Sequence, residues 1–394
     1  MTFLTLDDKE ECIGYYCDGK LIFGEKPSTN ENKTWKYSPQ HSGDQMLYAS
    51  LFCAGKDFDE VCPERLQETW IKLNSLAKAY IRSFLEAKVS LKENCFYDLV
   101  PKQFLIDYCD IKCQIIDDVL NTCEKPNNYD FLLDLDKLIH QIRRTKMNLK
   151  FDVLKKEQHD QKTRDFVQKY TNKESSIVYN QFSSKTGRLT TEENSFPILN
   201  LSKQYRKVIH PKNDFFLELD YNAAEVRVFL ALSGFKQPET DIHEWNRIKF
   251  GYDDRSEAKN NIISWLYGKK NKKEQDFKKF YNTELIKSKY WDGYLVTNHY
   301  GRKIAADDFH CVNYIVQSTA ADLALRQAIE VNKVLNGCQS KISMIIHDSI
   351  LIDMKKEEKE KINSIIDTYS KTEFGKFLCS VKVGKNFGEM KKIL

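Results

Sequence analysis

The chain has 394 residues, 41% of them apolar and 30% charged, enough to bury more than one core beneath a well-solvated surface. Its net charge of +4 is too small to argue for a polyanionic partner, because local clustering matters more than the total. No run approaches the roughly 20 apolar residues of a membrane span, and Asp7, Asp8, Glu10 and Glu11 interrupt any signal-like start, so no membrane partner and a cytoplasmic location are expected.

Residues 1–60 read as a small β-rich region. Apolar and polar residues alternate through Cys12, Ile13, Gly14, Tyr15 and Tyr16, and Asp18-Gly19 turns the chain into Leu21-Ile22-Phe23, a hairpin pattern. A loop follows around Pro27 to Asn32. From residue 61 to 180 the period becomes helical. Leu66, Trp70, Leu73, Ala77, Tyr80 and Phe84 share one helix face, and Leu135, Ile139, Ile142, Leu149 and Val153 predict a second helix. That second segment carries Arg143, Arg144, Lys146, Lys150, Lys155 and Lys156, which reads as a solvated face or a phosphate grip. The eleven cysteines are scattered. Cys12/Cys17 and Cys109/Cys113 lack the second pair or His that would complete a zinc set, so reduced thiols are expected.

After residue 180 strands and helices alternate. Phe215 to Leu219 is a short strand pattern that ends in Asp220-Tyr221-Asn222. Ile342 to Ile346 and Ile350 to Ile352 are two more, separated by His347-Asp348-Ser349, so Asp348 is expected at a hairpin tip. Alone, each aspartate reads as a turn residue. Together, on rigid strand ends, they are the carboxylates that two-metal phosphoryl transfer requires. Between them, Arg255 to Gly268 reads as a helix stopped by glycine, with Arg255, Lys259, Ile263 and Tyr267 at every fourth position. Such a stripe is either an ordinary amphipathic face or a strip charged at one end and flat and apolar at the other, as a nucleoside triphosphate is. His243, in Asp241-Ile242-His243, is a further phosphate-donor candidate.

These segments resemble one family. Thr186-Gly187-Arg188-Leu189-Thr190 is similar to the TGRLS segment of family A DNA polymerases, and Asp220-Tyr221-Asn222-Ala223-Ala224-Glu225-Val226-Arg227 to their DYSxxELR. Asp241-Ile242-His243 resembles their DIH, and Arg255 to Gly268 their fingers helix. Gly301-Arg302-Lys303 is similar to GRR, and Asn313 to Asp322 to the segment ending QGTAAD. His347-Asp348-Ser349 is similar to HDE, and Gly384 to Glu389 to the closing GxNWGE. The matches keep the family's order over residues 183–389.

The resemblance implies an α+β right-hand polymerase: a palm with an antiparallel sheet, helical fingers, a reduced helical thumb and a small N-terminal β-rich segment. The boundaries would be 1–60, a thumb-like 61–180, palm 181–235, fingers 236–305 and palm again 306–394. It implies Asp220, Asp348 and the Tyr221 carbonyl as ligands of two Mg2+ ions, with Mn2+ able to substitute. Arg255, Lys259 and His243 would hold the triphosphate, with Lys259 the proton donor to pyrophosphate. Tyr267 would support the base pair, Glu225 would be the ribose gate beside it, and Ile263 would lie near the sugar 3′ position. Arg188, Asn200, Asn313, Gln317 and His347 would line the primer terminus and minor groove, and Arg143 and Arg144 would grip DNA.

Four positions depart from the family pattern: Ser349 stands for Glu, Ile263 for Phe or Tyr, Phe309 for Arg and Ser318 for Gly. The first 180 residues carry no proofreading set of carboxylates, Asp7-Asp8-Lys9-Glu10 being at most a fragment. The expected activity is therefore template-directed extension of a primer by dNTPs without 3′–5′ proofreading, acting on primer–template DNA. A helicase, primase or processivity factor is the expected partner, and a phage or viral source, in a host cytoplasm, is expected. A single-subunit RNA polymerase is the alternative, which Glu225 disfavours, and a silent DNA-binding scaffold is a third reading, which Asp220, Asp348, Arg255 and Lys259 disfavour.

Overall fold

The structure, a computed structural model, describes residues 1–6, 14–24, 31–39, 45–91, 93–171, 175–193 and 195–393. Asp7, Asp8, Lys9 and Glu10, together with Cys12, Ile13 and the loop residues 27–30, lie outside them. The chain divides into two compact units, Met1–Leu133 and Asp134–Leu394.

In the first unit, β1 (Phe3–Thr5), β2 (Gly14–Cys17) and β3 (Lys20–Phe23) form an antiparallel sheet in that order. Asp18 and Gly19, at φ of 46° and 77°, make the two-residue turn between β2 and β3, where both residues must be left-handed to match the strand twist. The predicted apolar face forms α1 (Glu64–Glu86), which packs on α2 (Lys102–Thr122). Trp70 of α1 is buried and stacks on Tyr108 of α2 at 5.8 Å between ring centres. Among the described residues nine cysteines are free thiols, whereas Cys95 is disulfide-bonded, which departs from the expectation of reduced thiols throughout.

The division between units falls within α3 (Tyr129–Arg144), inside the region expected to be one thumb-like domain. The helix predicted to run on through Leu149 and Val153 stops at Arg144. Beyond it, Met147 N–H donates to the Ser175 carbonyl at 2.8 Å, and β4 (Asn148–Leu149) pairs with β5 (Ile209–His210). The Asn148 side chain also donates to the Pro211 carbonyl at 2.7 Å. These backbone pairings replace helical ones, so the basic residues do not form a single helical stripe. Arg143 and Arg144 occupy the last turn of α3, and Lys146, Lys150, Lys155 and Lys156 follow it.

The second unit is built around β6 (Phe215–Tyr221). After it come α4 (Ala224–Leu232), α5 (Ile242–Phe250), α6 (Arg255–Leu266), the long α7 (Cys311–Val334), β7 (Lys341–Ile346), β8 (Ser349–Met354), α8 (Ile362–Ser370), β9 (Cys379–Gly384) and β10 (Lys391–Lys392). The sheet order is β7-β8-β6-β9-β10, antiparallel throughout. Phe216, Leu217, Glu218 and Leu219 are all buried, as a strand covered on both faces requires. A separate apolar core, including Phe229, Ile262, Trp265, Phe277, Tyr281 and Ile315, joins α4, α5 and α6 to the start of α7.

Gly388 explains one close approach. A Cβ there would fall 2.6 Å from the Lys207 nitrogen, and the neighbouring Phe387 ring lies under the Arg206 guanidinium at 4.7 Å. The C-terminal segment thereby grips the turn that leads into β5.

Candidate active site

Asp220 is the penultimate residue of β6, opposite Ser349 of β8 and Ser380 of β9. Asp348 lies in the two-residue turn between β7 and β8, after His347, which takes a left-handed φ of 55°. That conformation strains a non-glycine residue by about 1–2 kcal/mol, and two contacts hold the turn in place. The Tyr369 hydroxyl donates to the Asp348 carbonyl at 3.0 Å, and Tyr369 stacks on Tyr221 at 4.4 Å and 10°. Both aspartates are thus mounted on β6 and its neighbours.

Neither aspartate is ion-paired among the described residues, although the charges of Lys382 and Arg206 act on Asp220 and that of Arg188 on Asp348. Burial, then the nearby Asp348 and Glu218 carboxylates, push the Asp220 carboxyl up to about 7. Burial also raises Asp348. The Asp220 side chain makes no hydrogen bond or ion pair among the described residues, and the one ammonium beneath it, Lys382, is paired with the buried Glu218 at 2.8 Å. Two crowded carboxylates without an ion-paired cation suit hard divalent ions such as Mg2+, with the Tyr221 carbonyl as the expected third donor. Ser349 is neutral and adds no charge, and its hydroxyl is already committed to the Ile346 carbonyl at 3.0 Å. Among the described residues no group of three or more His, Cys, Asp or Glu side chains could hold a metal, so the set stops at two carboxylates.

Helix α6 begins at its N-cap Asp254 and ends at Tyr267, with Gly268 beyond at φ 82°. Phe309 accounts for that glycine as well: its exposed ring lies where a Cβ at 268 would be, 2.4 Å from Cζ. Lys259 is exposed and without an ion pair among the described residues. Arg255, one turn earlier, is engaged. Its Nε and Nη2 donate to Asp241 at 3.0 and 2.7 Å. Against the burial that would raise it, hydrogen bonds from Arg255, Glu244 N–H and Asn222 hold Asp241 well below the usual carboxylate range. His243, in the first turn of α5, is buried, and its Nδ1 has no hydrogen-bond partner among the described residues. Burial, helped by the charges of Arg255 and Lys259, lowers it to about 4, so the ring is neutral at neutral pH.

A second cluster joins three segments distant in the chain. The Tyr267 hydroxyl donates to both Glu225 oxygens, at 3.2 and 3.0 Å, and Arg188 pairs with the same carboxylate. Burial raises Glu225, and Arg188 and Tyr267 oppose that rise. The charge of Asp348 reaches both Arg188 and Glu225, which places this cluster beside the carboxylate pair. Gly187 permits it: its φ is 76°, and a Cβ there would fall 2.5 Å from the guanidinium carbon of Arg302, itself pinned to the buried Asp322 at 2.7 Å.

The remaining candidates are placed as follows. Ile263 is half-buried against the α4–α6 core. Asn313, in the first turn of α7, donates to the Leu266 carbonyl at 3.0 Å and so fastens the end of α6. Gln317, one turn further along α7, is buried, and His347 is exposed at the hairpin tip. Asn200, in the 3-10 turn Ile198–Asn200, and Arg143 and Arg144, in α3, share no element with the carboxylates.

Two residues given no role from sequence stand out. Arg227 is fully buried, and its guanidinium donates to the carbonyls of Asn222, Pro238 and Thr240 and to Asn222 Oδ1 at 2.8–3.1 Å. Asn222 in turn accepts from Ile242 N–H at 2.9 Å and donates to Asp241 at 2.7 Å. Only an Arg five residues after a polar side chain hinted at this in the sequence.

With this geometry in place, comparison with known proteins is informative. Residues 266–389 match the model of DNA polymerase family A. Over that stretch the chain is similar to the family A DNA polymerases. It is 23% identical to DNA polymerase I of Borreliella burgdorferi over 411 aligned positions, covering 81% of this chain and 45% of that protein. It is 34% identical to DNA polymerase I of Aquifex aeolicus over 76 residues, 18% of this chain and 13% of that one. The chain thus spans less than half the length of these family A relatives. Its fold is similar to that of the POL domain of Pol1 from M. smegmatis, solved in complex with DNA primer-template and dNTP. The TM-score is 0.55 at 13% identity, over 80% of this chain and 78% of that one. The chain therefore has the right-hand polymerase fold expected from its sequence. No helix among the described residues is long and apolar enough to cross a membrane.

Proposed function

We propose that this chain is a DNA-directed DNA polymerase, a nucleotidyltransferase that extends a primer with dNTPs on a DNA template. The observation that carries the reading is the pair Asp220 and Asp348, at the end of β6 and in the turn before β8, with no ion-paired cation among the described residues, beside the Arg188–Glu225–Tyr267 cluster. The family match over residues 266–389 and the fold likeness to a polymerase domain support it.

Asp220, Asp348 and the Tyr221 carbonyl would hold two Mg2+ ions, with Mn2+ able to substitute. When bound, such ions activate the primer 3′-hydroxyl and neutralise charge on the leaving pyrophosphate. The chain's own residues do the positioning. Lys259, exposed and uncommitted, meets the phosphates and donates a proton to the leaving group. Glu225, fixed by Tyr267 and Arg188, fills the space a ribose 2′-hydroxyl would need, so Arg188 acts first as the anchor of that gate. Neutral His243 donates one N–H toward the phosphates. Asn313, Gln317 and His347 line the primer terminus, and Asn200, Arg143 and Arg144 contact DNA further away. Proofreading is absent in this reading because the sequence carries no complete exonuclease set of carboxylates.

Primer extension with dNTPs and then rNTPs tests the proposal. Extension by dNTPs alone, with a mismatched primer left undegraded, is expected. Extension by rNTPs would favour an RNA polymerase, and duplex binding without extension a scaffold.

A further inference from the structure

The triphosphate-facing cation Arg255 is not free: a network that starts at the catalytic strand already holds it. Asp241 Oδ1 accepts from His243 N–H and Glu244 N–H, both at 2.9 Å, and from Arg255 Nε at 3.0 Å. Its Oδ2 accepts from Asn222 Nδ2 and Arg255 Nη2, both at 2.7 Å. Five donors saturate the lone pairs of one carboxylate, so it cannot rotate, and the planar guanidinium bound along its edge cannot rotate either. Asn222 is fixed in its turn. Its Oδ1 takes the Ile242 N–H and Arg227 Nη2, and its carbonyl takes Arg227 Nε at 2.9 Å. Asn222 directly follows Tyr221, the last residue of β6.

The other edge of Arg255 is uncommitted. Nη1, with both of its hydrogens, and one hydrogen of Nη2 have no partner among the described residues, and the side chain is half-exposed. A long, half-exposed arginine would ordinarily have to be ordered when it met a ligand. Here the ordering is done in advance, on one edge, while the other remains available to an anion.

We propose that Asn222 and Asp241 are positioning residues for the incoming nucleotide, transmitting the placement of the catalytic strand β6 to the phosphate-binding edge of Arg255. This rests on the polymerase reading above. It assigns Asn222 a task that a serine could not perform, since a hydroxyl has no second polar atom to take Ile242 N–H and Arg227 while donating to Asp241.

The test is single-nucleotide insertion on a primer–template, with kcat and KM for dNTP separated in a double-mutant cycle of Asn222→Ala and Arg255→Ala. Asn222→Ala is expected to raise KM by about tenfold while kcat changes by about twofold or less. In the Arg255→Ala background the same change is expected to add nothing, because the residue it orients is gone. A merely structural role would disturb Asp220, lower kcat and act equally in both backgrounds; that pattern, or an unchanged KM, overturns the proposal. If Asn222→Ala does not fold, Asn222→Asp keeps the shape, removes the donor to Asp241 and is expected to raise KM in the same way. A wild-type chain that extends no primer overturns the polymerase reading and this inference with it. An active wild type with additive mutants overturns this inference alone.

Discussion

Replacing Asp220 with Asn should make the metal-free protein more stable while abolishing nucleotide incorporation. The Asp220 carboxyl sits at about 7 in the fold, against about 3.9 in an unfolded chain. Below pH ~4 it is neutral in both states and carries no penalty. As pH rises from there the unfolded state ionises first, so folding must take up a proton, and the cost grows until the folded group also ionises near pH 7. Three pH units correspond to about 4 kcal/mol at 1.36 kcal/mol per unit, and solvent reaching the half-buried group reduces this to about 2 kcal/mol. Asn keeps the shape without the charge, so at pH 8 in EDTA its midpoint should lie about 4 °C above wild type, the gap closing below pH 5. Adding Mg2+ should stabilise only the wild type, because binding favours the folded state that holds the cation. Thermal melts across pH 5–8 measure this. A wild type whose stability rises between pH 5 and 7 relative to Asp220→Asn, or an Asn variant that is less stable at pH 8, would refute the reasoning.

Lys259→Ala should lower kcat/KM for dNTP by about 100-fold, with primer–template affinity unchanged, as lost transition-state charge stabilisation predicts; fluorescence anisotropy of labelled DNA checks the second half. Glu225→Ala should raise the rNTP-to-dNTP ratio of kcat/KM by about tenfold. It should also lower stability, because Arg188 is left half-buried without its partner, and a stability change without a change in sugar discrimination would remove the gate assignment. Gly187→Ala should cost about 1–3 kcal/mol, since a left-handed φ and contact with a pinned Arg302 act together; urea denaturation measures it.

The parts legible in the sequence are those set by local pattern. Asp18-Gly19 forced its turn, and apolar runs ending at Asp220 and flanking Asp348 marked the strand end and the hairpin tip that hold the two carboxylates. Gly268 marked the end of α6 one residue beyond Tyr267. What was not legible depends on partners far away in the chain. Nothing near Arg255 says that Asp241 holds it, and nothing near Asn313 says that its amide fastens Leu266. The helix expected through Leu149 failed for the same reason. Its periodicity was sound as far as Ile142, but Asn148 and Leu149 found backbone partners in Ile209 and His210 that no local pattern announces. Glu218 and Lys382 became a pair only through the β6–β9 register.

That register also bears on the order in which the molecule is made. Asp220 faces Ser349 across one strand pair and Ser380 across the other, so the carboxylate pair cannot assemble until the chain has been synthesised well past residue 354. The intervening stretch from Val226 to Val316 has an apolar core of its own, with Phe229, Trp265 and Tyr281 at its centre. At roughly 5–20 residues per second, that segment has several seconds on the ribosome in which to collapse as an excursion, while β6 waits with two unpaired edges. Long-range pairing of this kind is slow and exposes a strand with one wholly apolar face, that of Phe215, Leu217, Leu219 and Tyr221. The two candidate carboxylates thus meet only after the whole intervening segment has been made, and until then the open edges of β6 are free to pair with another chain.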